Sequence, residues 1–173
     1  MHNKIQLILG SASPRRKELL QWTYIPFQIV TSNIEENSEK KDVGELVMDL
    51  AAQKARDVSR IILEMNSFSD PMILGADTIV VVDNTVLGKP KSRDAAKNML
   101  MSLQGRKHKV LTGVCLLFRD KEYNFYDETI VEFDYITDDL LELYLNTGES
   151  MDKAGSYGIQ GAALGFIGKI NGS

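Results

Sequence analysis

The sequence predicts an α/β fold with a mixed central sheet flanked by helices. Three observations carry that expectation. Short β-branched and apolar runs alternate with segments of helical periodicity in the first half. Later runs face each other across short polar turns, as hairpins do. Alternation favours parallel pairing and hairpins demand antiparallel pairing, so one sheet must hold both. A chain of 173 residues, 43% hydrophobic and 25% charged, is long enough for one compact domain or two small lobes.

"IQLIL" (5–9) reads as a short buried strand that runs into Gly10. A helix follows, with Ser13 as its N-cap, Pro14 at its first position, and Leu19, Leu20 and Trp22 facing inward. "FQIV" (27–30) is a second strand, and the polar stretch after it a loop. A long helix starts at Asp42, with Glu45 as capping-box partner and Val43, Leu46, Val47, Leu50, Ala51 and Val58 at helical spacing. "MILGADTIVVVD" is strand-like, interrupted at Gly75 to Thr78, and "DNTV" turns it into a hairpin. Ser92 caps the next helix, whose face is Ala95, Ala96, Met99, Leu100 and Leu103; Gly105 stops it. "KVLTGVCLLF" and "ETIVEFDYI" are strands joined near "RDKE". Thr137 caps a last helix carrying Leu140, Leu141, Tyr144 and Leu145, ended by Gly148, and a glycine-rich loop leads into a final strand.

Composition excludes several classes. A net charge of −4 argues against a nucleic-acid binder that works through bulk charge. One cysteine, Cys115, and two histidines make neither a disulfide nor a zinc cluster. The apolar run at the N-terminus is too short for a signal peptide, and no segment reaches the length of a membrane span. The expectation is a reduced thiol in a cytoplasmic protein.

The helix at Ser13 breaks a rule that the others obey. Carboxylates are favoured in the first turn and cations disfavoured, by about 0.3–1 kcal/mol each. The helix after Thr137 opens with Asp138 and Asp139, and that at Asp42 has Glu45. The helix at Ser13 opens with Arg15, Arg16 and Lys17. A bound anion would reverse the sign, because free N–H groups, dipole and guanidinium forks would share one oxyanion cluster. Gly10, Ser11 and Ser13 are small enough to let a phosphate approach. The alternative is that these cations simply face water or pair with acidic neighbours. The spacing is neither a Walker A motif nor G-x-G-x-x-G.

Two acidic positions complement the cations. Asp77 lies between an apolar strand and a β-branched run, where a carboxylate is costly unless it is paired or metal-bound. Glu35 and Glu36 sit in the polar loop after the second strand; a solvated face is their ordinary fate. Together Asp77 and the pair Glu35 and Glu36 are a candidate donor set for Mg²⁺ completed by water and phosphate oxygens. Lys89 follows the Asp77 strand across the hairpin, and Lys54 lies on the long helix.

These residues belong to a wider pattern. "SASPRR", the acidic pair in "NIEE", "AAQKAR", "LGADTIV", "VLGKP", "MLMSLQGRKHKVLTGV", "GESMDKAGSYGIQG" and "INGS" occur in that order over nearly the whole chain. In this the chain resembles the Maf family of nucleoside triphosphate pyrophosphatases. The resemblance implies two lobes around a deep cleft, a fold like that of the inosine triphosphatases, usually in a homodimer. It implies hydrolysis between the α and β phosphates with a divalent cation, Mg²⁺ or Mn²⁺. Carried over by motif, Asp77 is the general base or metal-associated catalytic carboxylate, and Glu36 its metal-side partner. Ser11, Arg15, Arg16, Lys54 and Lys89 are triphosphate ligands; Thr78, Gln160 and again Arg15 fall at positions linked to base selectivity. "DKAGSYGIQG" is similar to the subgroup acting on dTTP and UTP. The alternatives are modified purine triphosphates, or a nucleotide-binding regulator of septum formation. No partner beyond the nucleotide and a second copy is expected, neither nucleic acid nor membrane. His108 is expected to have a structural role. Residues 1–173 are expected to form one domain that stops short of the family's last apolar segment and helix.

Overall fold

A computed structural model describes residues 5–172. Met1 to Lys4 and Ser173, where the expectations about a leader and about the chain's end fall, lie outside the described residues. The elements are β1 (Gln6–Gly10), α1 (Pro14–Gln21), β2 (Phe27–Ile29), α2 (Val43–Met65), β3 (Pro71–Val82), β4 (Thr85–Leu87), α3 (Arg93–Leu103), β5 (Lys107–Phe118), β6 (Lys121–Phe133), α4 (Asp138–Asn146) and β7 (Ile167–Asn171). Three short 3₁₀ turns separate α4 from β7. The sheet order is β2-β1-β3-β5-β6-β7, with β4 beside β3. β1 pairs in parallel with β2 and β3, whereas β4 and β7 pair antiparallel with β3 and β6. The expected mixed α/β sheet is present.

The chain forms two compact units. Unit one is Met1–Asp77 with Thr112–Tyr126; unit two is Thr78–Leu111 with Asp127–Ser173. Unit one buries Ile8, Ala51, Ala55, Val58, Ile62, Ile73 and Cys115. Burial pushes the Cys115 thiol up to about 11, so it stays an inert, protonated core group. Unit two buries an aromatic cluster. Phe133 meets His108, Tyr157 and Phe166 edge to face, and Phe166 meets Tyr144 in the same way.

The capped helices follow their sequence signals. Asp42 accepts from the Glu45 N–H at 2.9 Å, Ser92 from Ala95 and Thr137 from Leu140. Asp83 and Asn84 both adopt left-handed geometry (φ 49° and 62°), which suits the tight β3–β4 turn.

Four local expectations are corrected. Ser13 occupies the N-cap of α1 but its side chain makes no capping bond. α1 has no buried residue, and Leu19 and Trp22 are 46% and 65% exposed. Apolar spacing predicts which face would be covered, not whether anything covers it. β6 begins at Lys121, well before the expected start, since alternation is a weak signal where both faces of a strand are solvated. Finally, β3 runs unbroken through Gly75 to Thr78.

The reason for the last correction is a close approach. A Cβ on Gly75 would lie 2.5 Å from the Ala51 carbonyl oxygen and 2.9 Å from the Ala55 Cβ. Gly75 therefore lets α2 press its backbone onto β3. Gly113 does the same on β5, where a Cβ would meet the Val47 carbonyl at 2.2 Å. Helix α2 is thus seated on the sheet by two glycines and a row of alanines.

Candidate functional site

Within unit one, the candidate groups collect where β1 and β2 end, level with the middle of β3. Gly10 pairs with Gly75, so the loop leaving β1 sits level with the Ala76–Asp77 segment of β3. β2 runs parallel to β1, and the irregular segment after it carries Glu36. Loops at the carboxyl ends of strands are the usual ligand sites of open α/β sheets. Residues 75 and 77 share a face of β3. Since Gly75 admits α2 on that face, Lys54 of α2 reaches Asp77.

Lys54 Nζ lies 2.5 Å from Asp77 Oδ1 and 3.0 Å from Glu36 Oε1. The Lys54 and Asp77 side chains are 17% and 13% exposed, and Glu36 is 38% exposed. One ammonium thus bridges two carboxylates at the mouth of a half-buried site, where charge pairs are worth more than on an open surface.

Arg16 comes from the other side. Its guanidinium donates to the Ala76 carbonyl at 2.7 Å and to Ser11 Oγ at 3.2 Å. Ser11 Oγ also accepts from the Ser13 N–H. Burial pulls Arg16 below the ordinary guanidinium value, while the carboxylates of Asp77 and Glu36 oppose that pull. Arg16 carries positive charge into a dehydrated position, which explains why the charge anomaly of α1 is tolerated: Arg16 folds back toward β3. Arg15 is half-buried and makes no ion pair among the described residues, and Lys17 is exposed.

Ser11, Arg16, Lys54, Asp77 and Glu36 are therefore brought together in unit one. Thr78, Lys89 and Gln160 belong to unit two. There Thr78 directly follows Asp77 on β3, Lys89 is exposed just past β4, and Gln160 is exposed in the turn before the last 3₁₀ turn. The turn around Gln160 is braced by Glu149, whose carboxylate accepts the Ala162 N–H at 3.3 Å. His108 is buried, with Nε2 2.6 Å from the Tyr157 hydroxyl.

Among the described residues, two carboxylates converge on Lys54, those of Asp77 and Glu36. Among the described residues no group of three His, Cys, Asp or Glu side chains is placed to hold a metal. That donor set fits a hard divalent cation such as Mg²⁺, which usually takes one or two protein carboxylates and completes its shell with water and substrate phosphates. The Lys54 ammonium already shows that the two carboxylates can share one cation. Sequence reasoning did not single out Ser32, Gln53 or Asp57, which hold the Glu36 segment. Asp57 had a signal: a carboxylate next to Val58 on the apolar side of a helix.

The chain is similar to known proteins over most of its length. The family model described as Maf-like protein matches residues 6–173. A dTTP/UTP pyrophosphatase of Bacillus cereus (strain G9842) is 45% identical over 168 residues, covering 96% of this chain and 85% of that protein. A dTTP/UTP pyrophosphatase of Symbiobacterium thermophilum is 48% identical over 168 residues, covering 96% and 84%. Among solved structures, a nucleoside-triphosphatase / dITP/XTP pyrophosphatase of Mycobacterium abscessus overlaps 76% of this chain and 74% of its own, with a TM-score of 0.41 and 12% identity.

Proposed function

The chain belongs to the Maf-like protein family, and on that premise we propose that it hydrolyses dTTP and UTP to the nucleoside monophosphate and pyrophosphate. The observation that carries the reading is the grouping of Arg16, Ser11, Lys54, Asp77 and Glu36 in unit one. Such a site concentrates cations around a carboxylate that can handle a proton.

The chemistry asks for little covalent help. Water attacks the α-phosphorus, the bond to the bridging oxygen of the β-phosphate breaks, and pyrophosphate leaves with that oxygen. Positioning and charge neutralisation supply most of the catalysis. Arg16 and Lys54 supply fixed positive charge from unit one. By motif, Arg15 and Lys89 are assigned to the triphosphate as well, and Thr78 and Gln160, with Arg15, to the base. Ser11 Oγ, already accepting two hydrogen bonds, has its own O–H left to donate to a phosphate oxygen. Asp77 orients the attacking water and accepts its proton. Asp77 and Glu36 would hold a divalent cation, Mg²⁺ or Mn²⁺, which supplies charge neutralisation at the phosphates and a more acidic water. When substrate phosphates arrive, they compete for Lys54, freeing the two carboxylates that it bridges.

The same reading places the protein in a reducing cytoplasm as a homodimer. The buried free thiol of Cys115 supports the reducing compartment, and the homodimer rests on the family resemblance alone.

The test is a panel of UTP, dTTP and a methylated GTP with Mg²⁺, scored for pyrophosphate and for orthophosphate. Pyrophosphate from UTP and dTTP is the expected product. Orthophosphate alone, or no turnover by the folded protein, refutes the reading; preference for the methylated purine corrects the substrate class.

A further inference from the structure

Residues 31–41, which carry Glu36, contain no helix or strand, yet Glu36 is held against Lys54. A segment without a hydrogen-bond ladder must be fixed by side chains. Helix α2 provides them at both flanks of Glu36. Before it, Ser32 Oγ donates to Asp57 Oδ2 at 2.8 Å, and Asp57 also accepts from the Asn33 backbone. After it, Gln53 Nε2 donates to the Asn37 carbonyl at 2.7 Å, with its own amide steadied by Asp49 Oδ2 at 2.9 Å.

Gln53 and Asp57 are one turn apart and face the same way. Lys54, which touches Glu36 itself, lies between them in sequence. Asp57 is built for the task. It is 6% exposed, and Arg60 donates to its second oxygen at 2.6 Å. The Ser32 hydroxyl bond, with Arg60 and the Asn33 backbone beside it, holds its carboxyl below the usual range against the pull of burial, so the bond to the loop is one that the charged form prefers.

We infer that Gln53 and Asp57 are positioning residues: a two-point clamp by which α2 fixes the Ser32–Asn37 segment and so presents Glu36 beside Asp77. The inference rests on the proposed metal-side role of Glu36 for its functional consequence, but not for the clamp. The clamp makes the distance between the two carboxylates a property of α2. Without it, the segment around Glu36 keeps the Lys54 contact and, further along, the exposed Lys40–Glu45 pair, and a cation bound by both carboxylates must also order that segment.

The test uses the whole protein and two readouts that need no turnover. One is the rate of cleavage after Glu35 and Glu36 by a glutamate-specific protease. The other is calorimetric titration with Mn²⁺ alone. Asp57→Asn, Gln53→Leu and Ser32→Ala are each expected to speed cleavage at that segment by about tenfold, the scale of one lost hydrogen bond to a charged or buried partner. They are expected to weaken Mn²⁺ by a similar factor, and to add no further weakening in a Glu36→Gln background. Ser32→Ala leaves Asp57 with Arg60, so it reports on the clamp even if Asp57→Asn does not fold. Unchanged cleavage overturns the clamp. Weakening of Mn²⁺ that adds fully to that of Glu36→Gln overturns the claim that these residues act through Glu36. If Glu36→Gln itself binds Mn²⁺ like the parent protein, the metal-side role of Glu36 fails, and the cleavage rates alone decide the clamp.

Discussion

The two units solve opposite problems with polar groups. Unit one draws charge inward: Arg16, Lys54, Asp77 and Asp57 are half-buried or buried, each beside partners that offset its desolvation. Unit two buries polarity in neutral form. His108, Tyr144 and Tyr157 pack in a ring cluster, and burial keeps the histidine unprotonated and the Tyr157 phenol protonated. The backbone differs to match. Unit one seats α2 by two glycines and small side chains, so that backbone meets backbone and side-chain ends meet at the rim. Unit two relies on large side chains filling space. Unit one is built to hold charge in place, and unit two to hold shape.

That contrast can be broken first in unit two. Phe133→Ala removes the ring at the centre of the aromatic cluster and is expected to cost about 3–5 kcal/mol by denaturant unfolding. A loss below 1 kcal/mol would show that the cluster can collapse around the gap, and that shape is not what holds this unit.

Acid tests the same unit by another route. His108 is held neutral down to about pH 4 by burial, against an ordinary 6.5. Between those values the unfolded chain binds more protons than the native one, so stability rises with pH. The contribution is complete above about pH 6.5 and is lost as pH falls toward 4, roughly 3 kcal/mol in all. Unfolding free energy measured from pH 7 to 4 should show that slope, and His108→Gln should flatten it. An identical slope in the variant assigns the acid sensitivity to other groups.

Gly75→Ala strikes the seat of α2 in unit one. The new methyl meets the Ala51 carbonyl, a backbone atom that cannot rotate away, so the helix must lift. The expected cost is about 1–3 kcal/mol, as for overpacked cores. Turnover should fall further than stability does, because Lys54 moves with the helix. A variant of parental stability and rate would mean that α2 can shift without disturbing the site.

The smallest effect belongs to the surface. Glu142 pairs with Arg93 and Lys97, yet all three are well exposed. Glu142→Gln should leave the unfolding midpoint where it is. A clear drop in Tm would show that this exposed network contributes to unit two after all.

Much of this organisation was legible in the chain. The caps at Asp42, Ser92 and Thr137 and the turn at Asp83 and Asn84 are local chemistry, which sequence states directly. The cations of α1 and the carboxylate at Asp77 were legible as violations, since each is costly without a partner. Gly75 misled because a glycine in a strand reads as a break until the helix that needs its bare face is known. The outward-facing apolar residues of α1 misled for a related reason: periodicity names a face but not its cover. The clamp on Glu36 was not legible, because it joins positions 16 and 25 residues apart through single side-chain bonds that no periodicity encodes.

On this reading the charge held by unit one does the chemistry. Pyrophosphate release from UTP and Mg²⁺ by the parent protein and by Asp77→Asn tests that role most directly. The amide keeps the shape of the carboxylate and removes its capacity to take a proton. The expected result is a loss of about two to four orders of magnitude in rate with the fold intact by Tm. A folded Asp77→Asn variant that releases pyrophosphate at the parental rate would contradict the account.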